Sequence, residues 1–173
     1  LPELVPGGTI ILNSDSFTQS DLAKAGYQSD PSEDDTLSGY QVYPIPISSL
    51  TIMAVEPTGL GKKQAILCKN MFTLGIVSWL YDRSINAIIS FIDKRYGKTK
   101  PEMAEANKLA LQAGYNYADT VEMFTGKYQV SAAKLPAGNY RRISGNEATA
   151  LGVLAASELS GRPLYYSSYP ITP

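Results

Sequence analysis

The chain has 173 residues, with 15 Lys and Arg against 16 Asp and Glu and a formal net charge of −1, which leaves room for one domain or one and a fraction. Its 44% hydrophobic and 18% charged content is that of a globular protein, and the charge balance gives no electrostatic ground for a nucleic-acid or anionic-membrane partner. There is no His and a single Cys, Cys68, which removes His-based triads, the usual zinc sites, an internal disulfide and an iron–sulfur cluster held by this chain alone. Any proton transfer must then come from carboxylates, Tyr, Lys or a cofactor. The absence of a disulfide pair points to a reducing, cytoplasmic setting. Lys69, Asp82, Arg83 and Asp93 interrupt the most hydrophobic region, so no run reaches the length of a membrane span.

Leu1–Val5 reads as the tail of a helix. Gly7-Gly8 turn into Thr9–Leu12, a short continuous apolar run of the buried parallel type. Asn13-Ser14-Asp15-Ser16 follows as a polar loop. Two roles stand for it: contact with a ligand at the strand's end, or capping of the next helix, and capping is the expectation. Gln19–Ala25 suits that helix, closed by Gly26. The acidic stretch Asp30–Asp35 reads as a solvated loop, since it lacks the ligand spacing and central Gly of a calcium loop. Gly39–Tyr43 is a second strand, stopped by Pro44 and Pro46, and Ser48–Val55 a short helix. Pro57–Lys63 (PTGLGKK) lacks the first Gly and the final Ser or Thr of a phosphate loop. It reads as a surface turn whose lysines could meet an anion.

Gln64–Tyr81 carries the strongest helical pattern. Leu67, Met71, Leu74 and Leu80 lie near one face, and Phe72, Ile76, Val77 and Trp79 widen it. Cys68 within it reads as inert packing. Asp82-Arg83 break the helix, and Ser84 can cap a second one over Ile85–Arg95, whose closing Lys94-Arg95 suit the negative end of its dipole. Pro101 opens a third helix with Met103, Ala106, Leu109, Ala110 and Ala113 as the buried face, and Gly114 weakens it near its end. Residues 125–144 have no clear periodicity and carry Gly126, Pro136, Gly138 and Asn139. They read as a linker between two domains. Arg141-Arg142 is either a phosphate contact or an exposed pair at a domain edge.

The last 29 residues, Gly145–Pro173, are the most informative. Ala148, Leu151, Ala155 and Leu159 step by three or four and share a helical face. Gly161-Arg162-Pro163 end that helix, and Leu164-Tyr165-Tyr166 form a short β-prone run. Tyr169-Pro170-Ile171-Thr172-Pro173 then hold one hydroxyl, Thr172, between two prolines. A polar loop at a strand's carboxyl end is where α/β sheets place ligands.

Gly145-Asn146-Glu147-Ala148, Ala150-Leu151-Gly152 and Tyr169-Pro170-Ile171-Thr172-Pro173 together resemble the start of the pyrimidine-binding domain of 2-oxoacid:acceptor (ferredoxin) oxidoreductase alpha subunits, most like the 2-oxoglutarate type. Pro6–Ile11, Tyr43-Pro44-Ile45-Pro46, Lys69–Gly75, Asn107 and Gly114-Tyr115 are similar to landmarks of that family's catalytic gamma domain. The fold implied is α/β: a Rossmann-like gamma domain over residues 1–124, a linker over 125–144, and over 145–173 the first helix and strand of a thiamine-diphosphate-binding domain. The chain starts without Met and lacks the Gly-rich opening strand, turn and helix of a gamma domain, so an excerpt of a longer subunit is expected.

The resemblance implies oxidative decarboxylation of a 2-oxoacid, with 2-oxoglutarate favoured, to acyl-CoA and CO2, with electrons passing to ferredoxin. It implies thiamine diphosphate with Mg2+ and an iron–sulfur cluster in the assembled enzyme, bound mainly by parts outside this chain. Coenzyme A is the co-substrate, a beta subunit the partner, and the assembly a hetero-oligomer. Thr172, held by Tyr169 and Pro170, would face substrate or the thiamine ring. Asn146 would pin the start of its helix. Lys62, Lys63 and Lys69 would meet the phosphates of coenzyme A. By the same resemblance the activating glutamate would lie beyond residue 173, so no catalytic residue is assigned and the chain alone is expected to be inactive. The alternative is a Rossmann-like coenzyme A or nucleotide-binding module, or a subunit-interface scaffold, without catalysis.

Overall fold

The computed structural model describes residues 3–122, 124–167 and 169. The chain forms two compact units, Leu1–Ser131 and Ala132–Pro173.

The first unit is built on two parallel strands, β1 (Thr9–Asn13) and β2 (Gln41–Ile45), in register from Thr9 opposite Gln41 to Asn13 opposite Ile45. The crossover between them holds one short helix, α1 (Gln19–Lys24). β2 was expected to stop before Pro44, yet it runs through it. The reason is the phase of the ladder. Gln41 donates its N–H to the Gly8 carbonyl at 2.9 Å, so Gln41, Tyr43 and Ile45 point their N–H groups toward β1. Pro44 falls in the opposite phase, where a missing N–H breaks no ladder bond.

Helices cover the rest: α2 (Ile47–Val55), α3 (Lys62–Ala65), α4 (Lys69–Leu80), α5 (Asn86–Tyr96) and α6 (Pro101–Thr120). The single helix expected over Gln64–Tyr81 is therefore two, joined by a 3₁₀ turn at Ile66–Cys68. Three residues per turn stack Ala65 and Cys68 on one side, and both are buried. The change of phase also moves the buried face. Phe72, Gly75, Ile76 and Trp79 point inward, while Leu67 is 67% exposed. The main core joins Ile45, Val55, Cys68, Phe72, Ile76, Trp79, Ala106 and Ala110, and a smaller cluster joins Ile85, Ile92, Ala104 and Leu111.

Gly114 does not weaken α6. The helix continues past it to Thr120, and Gly114 is buried. Beyond α6, Phe124 stacks on Tyr43 with ring centroids 4.7 Å apart, and Tyr128 donates its N–H to the Leu80 carbonyl at 2.7 Å. These contacts fasten the segment after α6 to the first unit.

The second unit holds one helix, α7 (Gly145–Ser160). Ser144 caps it by accepting from the Glu147 N–H at 3.2 Å, and Gly161 closes it at φ +64° in the left-handed region. No residue of α7 is buried. Leu164-Tyr165-Tyr166, expected as a strand, has no ladder. A strand needs a neighbour to accept its backbone groups, and the described residues of this unit contain no other extended partner that pairs with it. In its coarse form the α/β expectation holds: two parallel strands, one crossover, and helices around them.

Candidate functional site

Of the proline-framed tip, Pro170 and Thr172 lie outside the described residues. Tyr169 is described and is 80% exposed. Asn146 does not pin the start of α7, because Ser144 supplies the cap. Asn146 instead lines an open groove of about 380 Å³ with Thr149, Ala150, Val153, Leu154, Leu164 and Tyr166. The residue best placed to accept from a free helix N–H is the one just before the first turn, and that is Ser144.

Lys62 and Lys63 sit on α3 and Lys69 opens α4, all three exposed. Among the described residues none of them has an ion-pair partner. Lys62 reaches a concave surface. It lines a groove of about 420 Å³ between α2 and α3 with Ile52, Met53, Glu56, Gly59, Leu60 and Ala65.

The carboxyl end of the sheet is occupied by the chain itself. Asn13 accepts from the Ser48 N–H at 3.3 Å and donates to the Ser48 and Ser16 hydroxyls at 2.8 and 2.9 Å. Asp15 accepts from the Ser49 N–H at 2.7 Å and from its hydroxyl at 3.0 Å. The polar loop therefore caps α2, a helix more than thirty residues on, and not α1 as expected. Thr18 caps α1, accepting from the Asp21 N–H at 3.3 Å. The signal for this was half visible: Pro46 precedes α2 and offers no capping side chain, so an acceptor had to come from elsewhere.

Residues 1–117 match the pyruvate ferredoxin/flavodoxin oxidoreductase family. The chain belongs to this family. It is 47% identical over 171 residues to the 2-oxoglutarate oxidoreductase subunit KorA of Mycobacterium tuberculosis (strain ATCC 25618 / H37Rv), an alignment covering 99% of this chain. The chain spans about a quarter (26%) of that relative's length. No solved structure matches it.

An iron–sulfur cluster and Mg2+ are the metal groups that the resemblance implies. Cys68 is the one thiol. It is fully buried, burial pushes its pKa up, and its sulfur lies 3.8 Å from the Met103 sulfur. A cluster needs several Cys thiolates. Among the described residues no group of three or more His, Cys, Asp or Glu could hold a metal ion. These residues fit neither an iron–sulfur cluster nor the Mg2+ of thiamine diphosphate, and no step through either group follows from them. No helix among them is long and apolar enough to cross a membrane.

Proposed function

We propose that this chain works as part of the alpha-type subunit of a thiamine-diphosphate-dependent 2-oxoacid:ferredoxin oxidoreductase, with 2-oxoglutarate as the substrate. The observation that carries this reading is the 47% identity along 99% of the chain to a subunit named for 2-oxoglutarate. The reaction joins the 2-oxoacid and coenzyme A into acyl-CoA and CO2, and two electrons and a proton leave for the acceptor side. When bound, thiamine diphosphate supplies the electron sink for decarboxylation, and the protein supplies position and electrostatics.

Within this reading, residues 1–124 are the gamma-type, Rossmann-like domain, 125–144 the linker and 145–173 the start of the pyrimidine-binding domain. Thr172 is the substrate-facing hydroxyl, held by Tyr169 and Pro170. A neutral donor there meets the substrate's carboxylate or keto oxygen without repelling a developing negative charge. Lys62, Lys63 and Lys69 offer positive charge to the phosphates of coenzyme A, and Lys62 does so from the rim of the α2–α3 groove. A beta subunit carries the diphosphate-binding part and the cluster, ferredoxin takes the electrons, and the hetero-oligomer works in the cytoplasm. A binding or scaffold module without catalysis is not favoured by a match of this extent to an oxidoreductase subunit.

The test is a panel of 2-oxoglutarate, pyruvate and branched-chain 2-oxoacids. The full-length subunit containing this chain is co-expressed with its partner, and coenzyme A-dependent reduction of ferredoxin is followed. Reduction driven best by 2-oxoglutarate supports the reading. Preference for another 2-oxoacid overturns the substrate assignment, and reduction by none of them overturns the activity. The 173-residue chain alone is expected to show no turnover.

A further inference from the structure

We propose that the outer face of α5 and the turn after it form a docking surface for an acidic face of a partner subunit, with Phe91 at its centre and Lys94, Arg95, Lys98 and Lys100 around it. This rests on the reading that the chain works inside a hetero-oligomer.

Phe91, Lys94 and Arg95 stand at positions i, i+3 and i+4 of α5 and share one side of the helix. The opposite side is spent on the small core, where Ile92 is fully buried and Ile88, Ile89 and Tyr96 are partly buried. Phe91 is left 57% exposed. Lys98 and Lys100 follow in the turn, and all four cations are exposed.

Of the carboxylates on the adjoining surfaces, Asp93 of α5 and Glu105 of α6 are both taken by Lys108, at 3.1 and 2.9 Å, and Glu102 stands in the first turn of α6. Among the described residues, none of Lys94, Arg95, Lys98 and Lys100 has a carboxylate within ion-pair distance. Lys94 and Arg95 sit in the last turn of α5, where cations are favourable. Lys98 and Lys100 stand in the turn that wraps the carboxyl end of α5, where the Lys100 N–H donates to the Tyr96 carbonyl at 2.8 Å, just before the first turn of α6 with its Glu102.

An aromatic residue ringed by cations has the anatomy of an interface, an apolar centre inside a polar rim. Arg95 is partly organised in advance, its guanidinium 5.8 Å from the centroid of the Tyr96 ring. The sign of the rim selects an acidic counterpart and speeds encounter with it. The chain as a whole carries a net charge of −1, so the basic surface is a local patch. The sequence pI of about 5.5 is far from that of a basic, nucleic-acid-binding domain.

The test uses the full-length subunit containing this chain, alone and assembled with its partner. A zero-length carbodiimide reagent joins Lys amines to touching carboxylates, and the linked peptides are identified by mass spectrometry. Links from Lys94, Lys98 or Lys100 to Asp or Glu of the partner subunit are expected. So is slower amide exchange over residues 86–100 in the assembly. The charge-reversed double variant Lys94→Glu/Arg95→Glu and the variant Phe91→Ala should each weaken association at least about tenfold. Lys24→Glu, a charge reversal elsewhere on the first unit, should leave it unchanged. Links found only within the subunit's own chain or between two copies of it overturn the proposal, as does exchange over residues 86–100 that assembly leaves unaltered. Binding of the isolated subunit to phosphatidylglycerol vesicles, without links to the partner, overturns it in favour of a membrane. Oxidation of 2-oxoglutarate by the wild-type assembly is measured alongside. Its absence with the links present defeats the activity reading alone, and its presence without the links defeats the docking surface alone.

Discussion

Gly75 of α4 and Gly114 of α6 let the two helices touch backbone to backbone. A Cβ on Gly75 would run into the Leu111 carbonyl oxygen and lie 2.6 Å from the Tyr115 nitrogen. A Cβ on Gly114 would run into the Phe72 carbonyl oxygen and lie 2.7 Å from the Phe72 carbonyl carbon. Each glycine thus makes room for the backbone one turn away from the other. The contact holds Phe72 and Ile76 in the same core as Ala106 and Ala110.

Gly75→Ala and Gly114→Ala should each destabilise the first unit by about 3 kcal/mol or more, since the obstacle is backbone and cannot rotate away. Helix propensity alone predicts the opposite sign, a gain of about 1 kcal/mol per Gly→Ala change. Amide exchange over α4 and α6 in the full-length subunit distinguishes the two. Slower exchange in either variant would refute the close approach.

Trp79 is the sole tryptophan and reports on the join between α4, α6 and the segment after α6. Its indole N–H donates to Asp119 at 2.7 Å, and the Lys127 ammonium lies 4.6 Å from the ring centroid. Asp119→Ala should cost about 1 kcal/mol and red-shift the emission as water reaches the indole. Asp119→Asn keeps an acceptor and should change the emission much less. Equal spectra for wild type and Asp119→Ala would mean that the bond does not hold the ring in solution.

The sequence made the existence of most elements legible, because apolar period and turn residues are local signals. The Thr9 strand, the α5 and α6 helices and the Gly161 cap all follow from residues near them. What stayed hidden depends on distant partners. Pro44 is tolerated through the phase of its pairing with β1, and Asn13 and Asp15 serve a helix far along the chain. The 3₁₀ turn at Ile66–Cys68 rotates the buried face by a tighter winding that periodicity does not register. Gly114 reads as a weak point until the α4 backbone is placed against it. The candidate site rests on the GNEA and YPITP motifs and their family resemblance, and its Pro170 and Thr172 lie outside the described residues. The lysines were legible as charges, but not the groove that Lys62 lines.

Lys108 should contribute a stability that ends in alkali. Its pKa is raised above the ordinary 10.5 by its hydrogen bonds to Glu105 and then to Asp93. A cation with a raised folded-state pKa stabilises fully below the unfolded value and loses that contribution as pH rises through the folded value. The difference in urea midpoint between wild type and Lys108→Met should therefore be constant from neutral pH up to about pH 10 and shrink above it. A difference that shrinks on acidification alone would assign the effect to the carboxylates instead.

Thr172→Val is the change that best separates catalysis from scaffolding. The two side chains are nearly equal in shape, so the substitution removes a hydroxyl with little change in volume. If Thr172 donates to the substrate's oxygens, the assembled enzyme should lose turnover by about 100-fold, the usual effect of deleting one preorganised donor. Thermal stability and subunit association should stay near wild type, and Thr172→Ser should restore much of the rate. A scaffold would tolerate the same change with no functional loss. Turnover within a factor of about two of wild type, a loss far below that of a preorganised donor, would remove Thr172 from the substrate's contacts. It would leave the proline-framed tip with a purely structural role.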